Sequence, residues 1–147
     1  MEQLRKKYKY AFIGVGFIKD VSPRTRLEKL LKNLDYTLPS IISPFSYFSK
    51  NSTIDQGSIV MHGSIINSRV KIGKNCIINS KSLIEHGSNI GDNSHISTGV
   101  IINGDVKVGN KTFIGSGSII KQGISISSKK KIKFGSVVSK NIYEIDI

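Results

Sequence analysis

The sequence predicts an all-β protein: a parallel β-helix of hexapeptide repeats about five coils long, with a short α/β remnant at its N-terminus. Two observations predict it. From Ile54 every sixth residue is Ile or Val without a miss: Ile54, Val60, Ile66, Ile72, Ile78, Ile84, Ile90, Ile96, Ile102, Val108, Ile114, Ile120, Ile126, Ile132 and Val138. Four places after these rungs a small or slim residue recurs, as Ser58, Ser64, Val70, Cys76, Ser82, Ser88, Ser94, Val100, Val106, Thr112, Ser118 and Ser136, with Ile124 and Lys130 as exceptions. A period of six fits neither an α-helical turn nor the alternation of a plain strand. Each hexad instead forms a short strand and a corner, and three hexads, roughly 18 residues, close one triangular coil. Rungs of successive coils then stack in three aliphatic columns. β-Branched Ile and Val suit the extended backbone and the narrow interior, the small residues fit the crowded corners, and Gly73, Gly91, Gly109 and Gly115 ease tight geometry after their rungs.

The chain divides at residue 50, with the solenoid occupying 51–147. Within the first part, Lys9 to Ile18 reads as a strand ending in Gly14-Val15-Gly16. Pro23 to Leu34 reads as a helix: Ser22 can cap it, Pro23 suits its first turn, and Leu27, Leu30, Leu31 and Leu34 share one face. Strand, glycine turn and helix make half of a nucleotide-binding βαβ unit. Two glycines are short of the full dinucleotide fingerprint, however, and a plain turn explains them as well. Tyr36 to Ser49 carries Pro39 and Pro44, which resist regular structure, and aromatic residues able to plug an open solenoid end, so it reads as a lead-in cap. The coils run from about Asn51 to Asn141, and the terminal IYEIDI is expected to fold over the far end.

The net charge of +12 raises the question of an anionic partner. Nucleic acid is disfavoured, because the basic residues are scattered and no aromatic residues interleave with them. No stretch has the shape of a secretory leader, and no apolar span reaches membrane-helix length. Cys76 stands alone at a small-residue position, which excludes a disulfide framework and points to a reducing compartment, the cytoplasm.

Chemistry centres on the histidines. Ligands lining one edge of a coil must differ by whole coils, but His62, His86 and His95 are separated by 24 and 9 residues, so no metal site is expected. One coil after His86 comes Gly104, which stacks an imidazole beside a backbone N–H that no side chain shields. That pairing suits acyl transfer. A neutral imidazole can take a proton from an attacking amine or hydroxyl, and a bare N–H can hold the thioester oxygen as it becomes an oxyanion.

The segments LPSIISPFSYFSKNSTIDQGSIV, NCIINSKSLIEHGSNIGDNSHIS, INGDVKVGNKTFIGSGSII and FGSVVSKNI resemble the hexapeptide acetyltransferases that modify bacterial sialic acid and nucleotide-linked amino sugars. The specific part is I-E-H-x-x-x-I-G-D-x-x-H-I-S followed by N-G-D-V-K-V-G. The resemblance implies a left-handed solenoid and a homotrimer whose clefts hold acetyl-CoA, with transfer of the acetyl group to an amino or hydroxyl group of a surface-glycan sugar. It makes His86 the general base, His95 an acetyl-CoA contact and Gly104 the amide that holds the thioester carbonyl. Ser116 and Phe134 become further cofactor contacts, with Asn79 and Gly14 on the acceptor side. KYAFIGVG and the helix after it resemble the end of that family's sugar-nucleotide domain, whose opening strand and glycine-rich turn are missing here. Two site residues depart from the family. Gly87 replaces the acidic residue that usually follows the catalytic histidine, and Ser43 replaces a histidine before Pro44. Glu85 is not expected to substitute for that acid, because neighbours in a strand point to opposite faces. These departures define the alternative reading, an inactive family member serving as a trimeric scaffold or cofactor-binding shell. A surface-binding solenoid with a threonine ladder is excluded, since the coils hold only Thr53, Thr98 and Thr112.

Overall fold

The computed structural model describes residues 2–143. Its strands are two residues long, because each hexad spends its other four residues on turning. They stack into three parallel sheets, the faces of a left-handed prism. The first face runs Ile41–Ile42, Ile59–Val60, Ile77–Ile78, His95–Ile96, Phe113–Ile114, Lys131–Ile132. The second runs Tyr47–Phe48, Ile65–Ile66, Leu83–Ile84, Ile101–Ile102, Ile119–Ile120, Val137–Val138. The third runs Thr53–Ile54, Lys71–Ile72, Asn89–Ile90, Lys107–Val108, Ser125–Ile126. Partners lie one coil apart throughout, so Ile84, Ile102 and Ile120 stand in a single column. The second residue of each strand points inward, and the rungs from Val60 to Val138 form one continuous buried core with Ile54 packed against its end.

The ladder starts earlier than expected. Ile41–Ile42 and Tyr47–Phe48 pair with Ile59–Val60 and Ile65–Ile66, so the stretch read as a lead-in cap is the first coil. Ile42 and Phe48 continue the six-residue register backwards from Ile54. Pro39 and Pro44 sit off the strands, where no ladder N–H is required.

The small residues do more than relieve crowding. From Ser58 to Ser118 their side chains point inward, and the hydroxyls tie one coil to the next. Ser58 Oγ donates to the Gly73 carbonyl at 2.7 Å and accepts the Cys76 N–H at 2.7 Å. Ser94 repeats the pattern with Gly109 and Thr112, and Ser88 with Asn103 and Val106. Cys76 fills the same position. Its thiol reaches the Gly91 carbonyl at 3.1 Å, and burial pushes its pKa up to about 12.

The glycines directly after rungs act by close approach. A Cβ on Gly115 would stand 2.6 Å from the Phe134 nitrogen, and one on Gly91 would stand 2.7 Å from the Asn110 nitrogen. The left-handed backbone falls three places after the rung, for example at Asn75, Asn93 and Asp105, side chains that tolerate it.

The N-terminal segment differs from expectation in two respects. Lys9 to Ile18 is extended but forms only a single bridge, Tyr10 to Thr37, because no neighbouring strand is there to propagate a ladder. The helix over Ser22–Asn33 (α2, after α1 at Glu2–Lys7) begins without a side-chain cap: Ser22 lies inside it, and its N–H donates to the Asp20 carboxylate. At the far end Ile142 bridges Ile126 and packs on the core, while the rest of the expected terminal fold lies outside the described residues.

Replacing Ser58 with Ala leaves the Gly73 carbonyl and the Cys76 N–H unpaired inside the core. The substitution is expected to destabilise the fold by about 1–3 kcal/mol, read as a lowered denaturant midpoint with the circular dichroism of the native state unchanged.

Candidate active site at two corners of the solenoid

His86 projects from the corner between the second and third faces. The next coil passes beside it: the Asp105 N–H donates to the His86 carbonyl at 2.8 Å, which fixes Gly104 against the ring. A Cβ on Gly104 would fall 2.6 Å from Nε2, so the imidazole occupies space that any larger residue would take. Among the described residues the Gly104 N–H donates to no protein acceptor. A proton acceptor and an unused donor therefore stand side by side, the geometry that acyl transfer requires.

Two carboxylates flank the ring. Glu85 Oε2 lies 3.6 Å from Nδ1 and is held by Asn67 Nδ2 at 2.8 Å. This corrects the expectation that Glu85 faces away, because the strand ends at Ile84 and the alternation of faces stops with it. Asp105 Oδ2 lies 3.9 Å from Nε2. A Cβ on Gly87 would collide with the Asp105 carboxylate, so the space left by the missing acid already holds one, supplied by the next coil. The sequence carries the signal one coil beyond Gly87, where Asp105 stands next to Gly104.

The remaining predicted residues lie elsewhere. Gly14, Asn79 and His95 line one pocket of about 230 Å³ between the N-terminal segment and the first face, together with Phe12, Met61 and Arg24. His95 is packed rather than presented. Its ring meets Phe17 and Phe113 edge-on, and Nδ1 lies 2.6 Å from the Phe17 carbonyl. A carbonyl only accepts, so Nδ1 carries the proton and Nε2 is left as a lone pair, buried without a partner. Ser116 and Phe134 occupy the corner between the first and second faces. Ser116 Oγ meets Ser97 Oγ at 2.8 Å, and the exposed Phe134 ring lies edge-on to Phe113. Within one chain the pair His86–Gly104 is thus separated by the second face from the group of Asn79, His95, Ser116 and Phe134. Among the described residues no group of three or more His, Cys, Asp or Glu side chains is arranged so that it could hold a metal ion. Nor is any helix there long and apolar enough to cross a membrane.

Sequence reasoning missed Arg24, which is 1% exposed. Its Nη1 donates to the Ile13 and Val15 carbonyls at 2.7 and 2.9 Å, and Nε and Nη2 reach the Asn75 and Gly57 carbonyls. Burial pushes its pKa down, opposed by the nearby Glu28, and the guanidinium pins the Gly14 turn to the solenoid. The sequence offered no signal for this, since Arg24 in a Lys-rich helix reads as surface.

The comparisons with known proteins accord with this geometry. A family model described as bacterial transferase hexapeptide (six repeats) matches residues 87–122, and one described as hexapeptide repeat of succinyl-transferase matches 69–103 and 105–140. A structure of perosamine N-acetyltransferase from Caulobacter crescentus, with CoA and GDP-perosamine, superposes with a TM-score of 0.91 at 25% identity, covering 96% of this chain and 66% of that one. The chain shares the fold of the left-handed β-helix acetyltransferase family, and the hexapeptide models together match residues 69–140. Among members of that family, PerB from the same organism, also with CoA and GDP-perosamine, matches with a TM-score of 0.90 at 25% identity over 96% of this chain and 67% of that one. The acetyltransferase domain of PglB from Neisseria gonorrhoeae, with acetyl coenzyme A, shares the fold with a TM-score of 0.87 at 22% identity, over 96% and 69%. This chain spans just under two thirds of the length of the perosamine enzyme. No curated protein sequence matches it.

Burial, only partly offset by the Phe17 hydrogen bond, holds His95 below the ordinary histidine range. The unfolded chain takes up that proton near pH ~6.5 and the folded chain only at lower pH, so folding loses stability as pH falls from the first value towards the second. Denaturant midpoints measured between about pH 7.5 and pH 5 should decline, and His95→Gln should flatten that part of the slope.

Proposed function

We propose that this chain is an acetyltransferase that moves the acetyl group of acetyl-CoA to an amino or hydroxyl group of a bacterial surface-glycan sugar, nucleotide-linked by analogy with the GDP-perosamine bound to its structural neighbours. The observation that carries this reading is the His86 ring lying against Gly104, whose N–H is unengaged. In the proposed mechanism His86 Nε2 takes the proton of the attacking group. The Gly104 N–H stabilises the oxyanion of the tetrahedral intermediate, and the thiolate leaves with the proton. No covalent enzyme intermediate is needed. His95, Ser116 and Phe134 hold acetyl-CoA, whose thioester supplies the activated acetyl group. Asn79 and Gly14 lie on the acceptor side, and the segment before Ile41 serves as a sugar-nucleotide-binding part docked on the catalytic solenoid, whose first coil begins at Ile41.

The working unit is a homotrimer. The outward residues of the second face, Tyr47, Ile65, Leu83, Ile101, Ile119 and Val137, form an uncharged stripe, and Tyr47 and Val137 are 58% and 72% exposed. The two halves of the site flank this stripe. Packing copies along it brings the His86 corner of one chain towards the Ser116 corner of another, as a pocket between chains requires. The free, buried Cys76 and a soluble nucleotide-linked substrate favour a cytoplasmic location.

Incubation with acetyl-CoA and a panel of nucleotide-linked amino sugars should release free thiol. His86→Ala should lower turnover by roughly 10²–10⁴ with acetyl-CoA binding little changed. Release of no thiol with any acceptor, or an unaffected His86→Ala, would favour the scaffold. Light scattering should give about three times the 16.2 kDa chain mass.

A further inference from the structure

Resting on the acetyl-transfer reading of the His86 corner, we infer that the acceptor is a primary amine delivered as an ammonium, and that Asp105 binds it. The two carboxylates beside the imidazole are not equivalent. Glu85 Oε2 is anchored by Asn67 Nδ2 and lies 3.6 Å from Nδ1, the closer of the two carboxylate contacts, so its charge favours the tautomer in which Nδ1 carries the proton and Nε2 is the base. Asp105 faces Nε2, the nitrogen over Gly104, where the acceptor must arrive. Its carboxylate accepts no hydrogen bond from any described protein group, and its side chain is 60% exposed. Its backbone is fixed by the bond to the His86 carbonyl, and Gly87 leaves open the space the carboxylate fills. An uncompensated anion is therefore built in beside the reacting atom.

The sign of the charge that develops there discriminates between acceptors. A hydroxyl gains negative charge as it is deprotonated, and a carboxylate about 4 Å away opposes this. An amine gains positive charge as its nitrogen bonds to the acetyl carbon, and the same carboxylate favours it. The steps balance. The ammonium held by Asp105 loses one proton to solvent, and the free amine attacks the acetyl carbon to form the C–N bond. The oxyanion collects at the Gly104 N–H, and Nε2 takes the second nitrogen proton. The C–S bond then breaks, and that proton passes from His86 to the CoA thiolate, so amide and free thiol form with net release of one proton.

Asp105→Asn keeps the shape and a residue type that tolerates the left-handed backbone at this position, and removes only the charge. The test uses pairs of sugar nucleotides that differ only in an amine or a hydroxyl at the acceptor carbon, GDP-perosamine and its hydroxyl counterpart first, with acetyl-CoA and thiol release as the readout. The wild type should use the amine of a pair, and Asp105→Asn should raise the KM for it about 10-fold or more while the Kd for acetyl-CoA does not rise and the rate with the hydroxyl partner does not fall. An unchanged KM in the variant, or a wild type that prefers the hydroxyl, overturns the inference. If the wild type releases thiol with neither kind of acceptor, the acetyl-transfer reading itself fails. Nuclear magnetic resonance of the His86 ring then decides the remaining claim: a shift with the amine alone that Asp105→Asn abolishes upholds amine binding, and its absence refutes it.

Discussion

The narrowness of the solenoid interior governs the rest of the molecule. With two residues of strand on each face, a coil leaves room for one Ile or Val per face and one small side chain per corner. It also leaves carbonyls and N–H groups at the corners that no sheet ladder reaches. The serine hydroxyls settle those groups coil by coil, as Ser58 does with Gly73 and Cys76. Because both volume and hydrogen bonding repeat with the coil, the register cannot slip by even one residue. That fixity is what holds the proposed catalytic arrangement on a corner made of turns. The position of His86 against Gly104 follows from the stacking of Ile84 on Ile102, two residues earlier in each coil.

This explains which parts could be read in advance. Anything that depended on the coil period was legible: the rungs, the stacked columns, and the partnership of His86 with Gly104. The same rule, carried one place further, would have placed Asp105 beside Gly87, and carried backwards it would have put Ile42 and Phe48 in the ladder despite the prolines around them. Legibility ended where contacts follow no period. The strand expected over Lys9 to Ile18 needed a neighbour the chain does not supply. The burial of His95 depends on where Phe17 comes to rest, and nothing local to His95 announces it.

Arg24 is the other contact that no period encodes, and it sets how the N-terminal segment meets the solenoid. A buried guanidinium is tolerable only when its donors are used, and here they end on carbonyls of two separate parts, Ile13 and Val15 on one side and Gly57 and Asn75 on the other. Glu28, one turn along α2, reaches Asn75 from the same face and is paired with Lys32. The leucines that suggested an ordinary amphipathic helix account for only part of this contact, since Leu31 is buried while Leu30 is 40% exposed. The pocket holding Gly14 and Asn79 is therefore shaped by polar docking, which is more directional than apolar contact and fixes the turn at a defined height on the first face.

The distribution of charge connects the fold to its assembly. The chain carries +12, yet the outward strand positions of the second face hold no charged residue, while Lys71 and Lys107 lie on the third face and Lys131 on the first. Like charges of that density oppose association wherever they must be buried, so the proposed trimer would form at least cost along the uncharged face. That face lies between the corner carrying His86 and Gly104 and the corner carrying Ser116 and Phe134. A ring closed along it joins unlike corners of neighbouring chains, which a two-fold contact through the same stripe would not do for every copy. Stacking in register also fixes the two corners relative to each other along the chain, so in the proposed trimer the same residues would meet at every boundary.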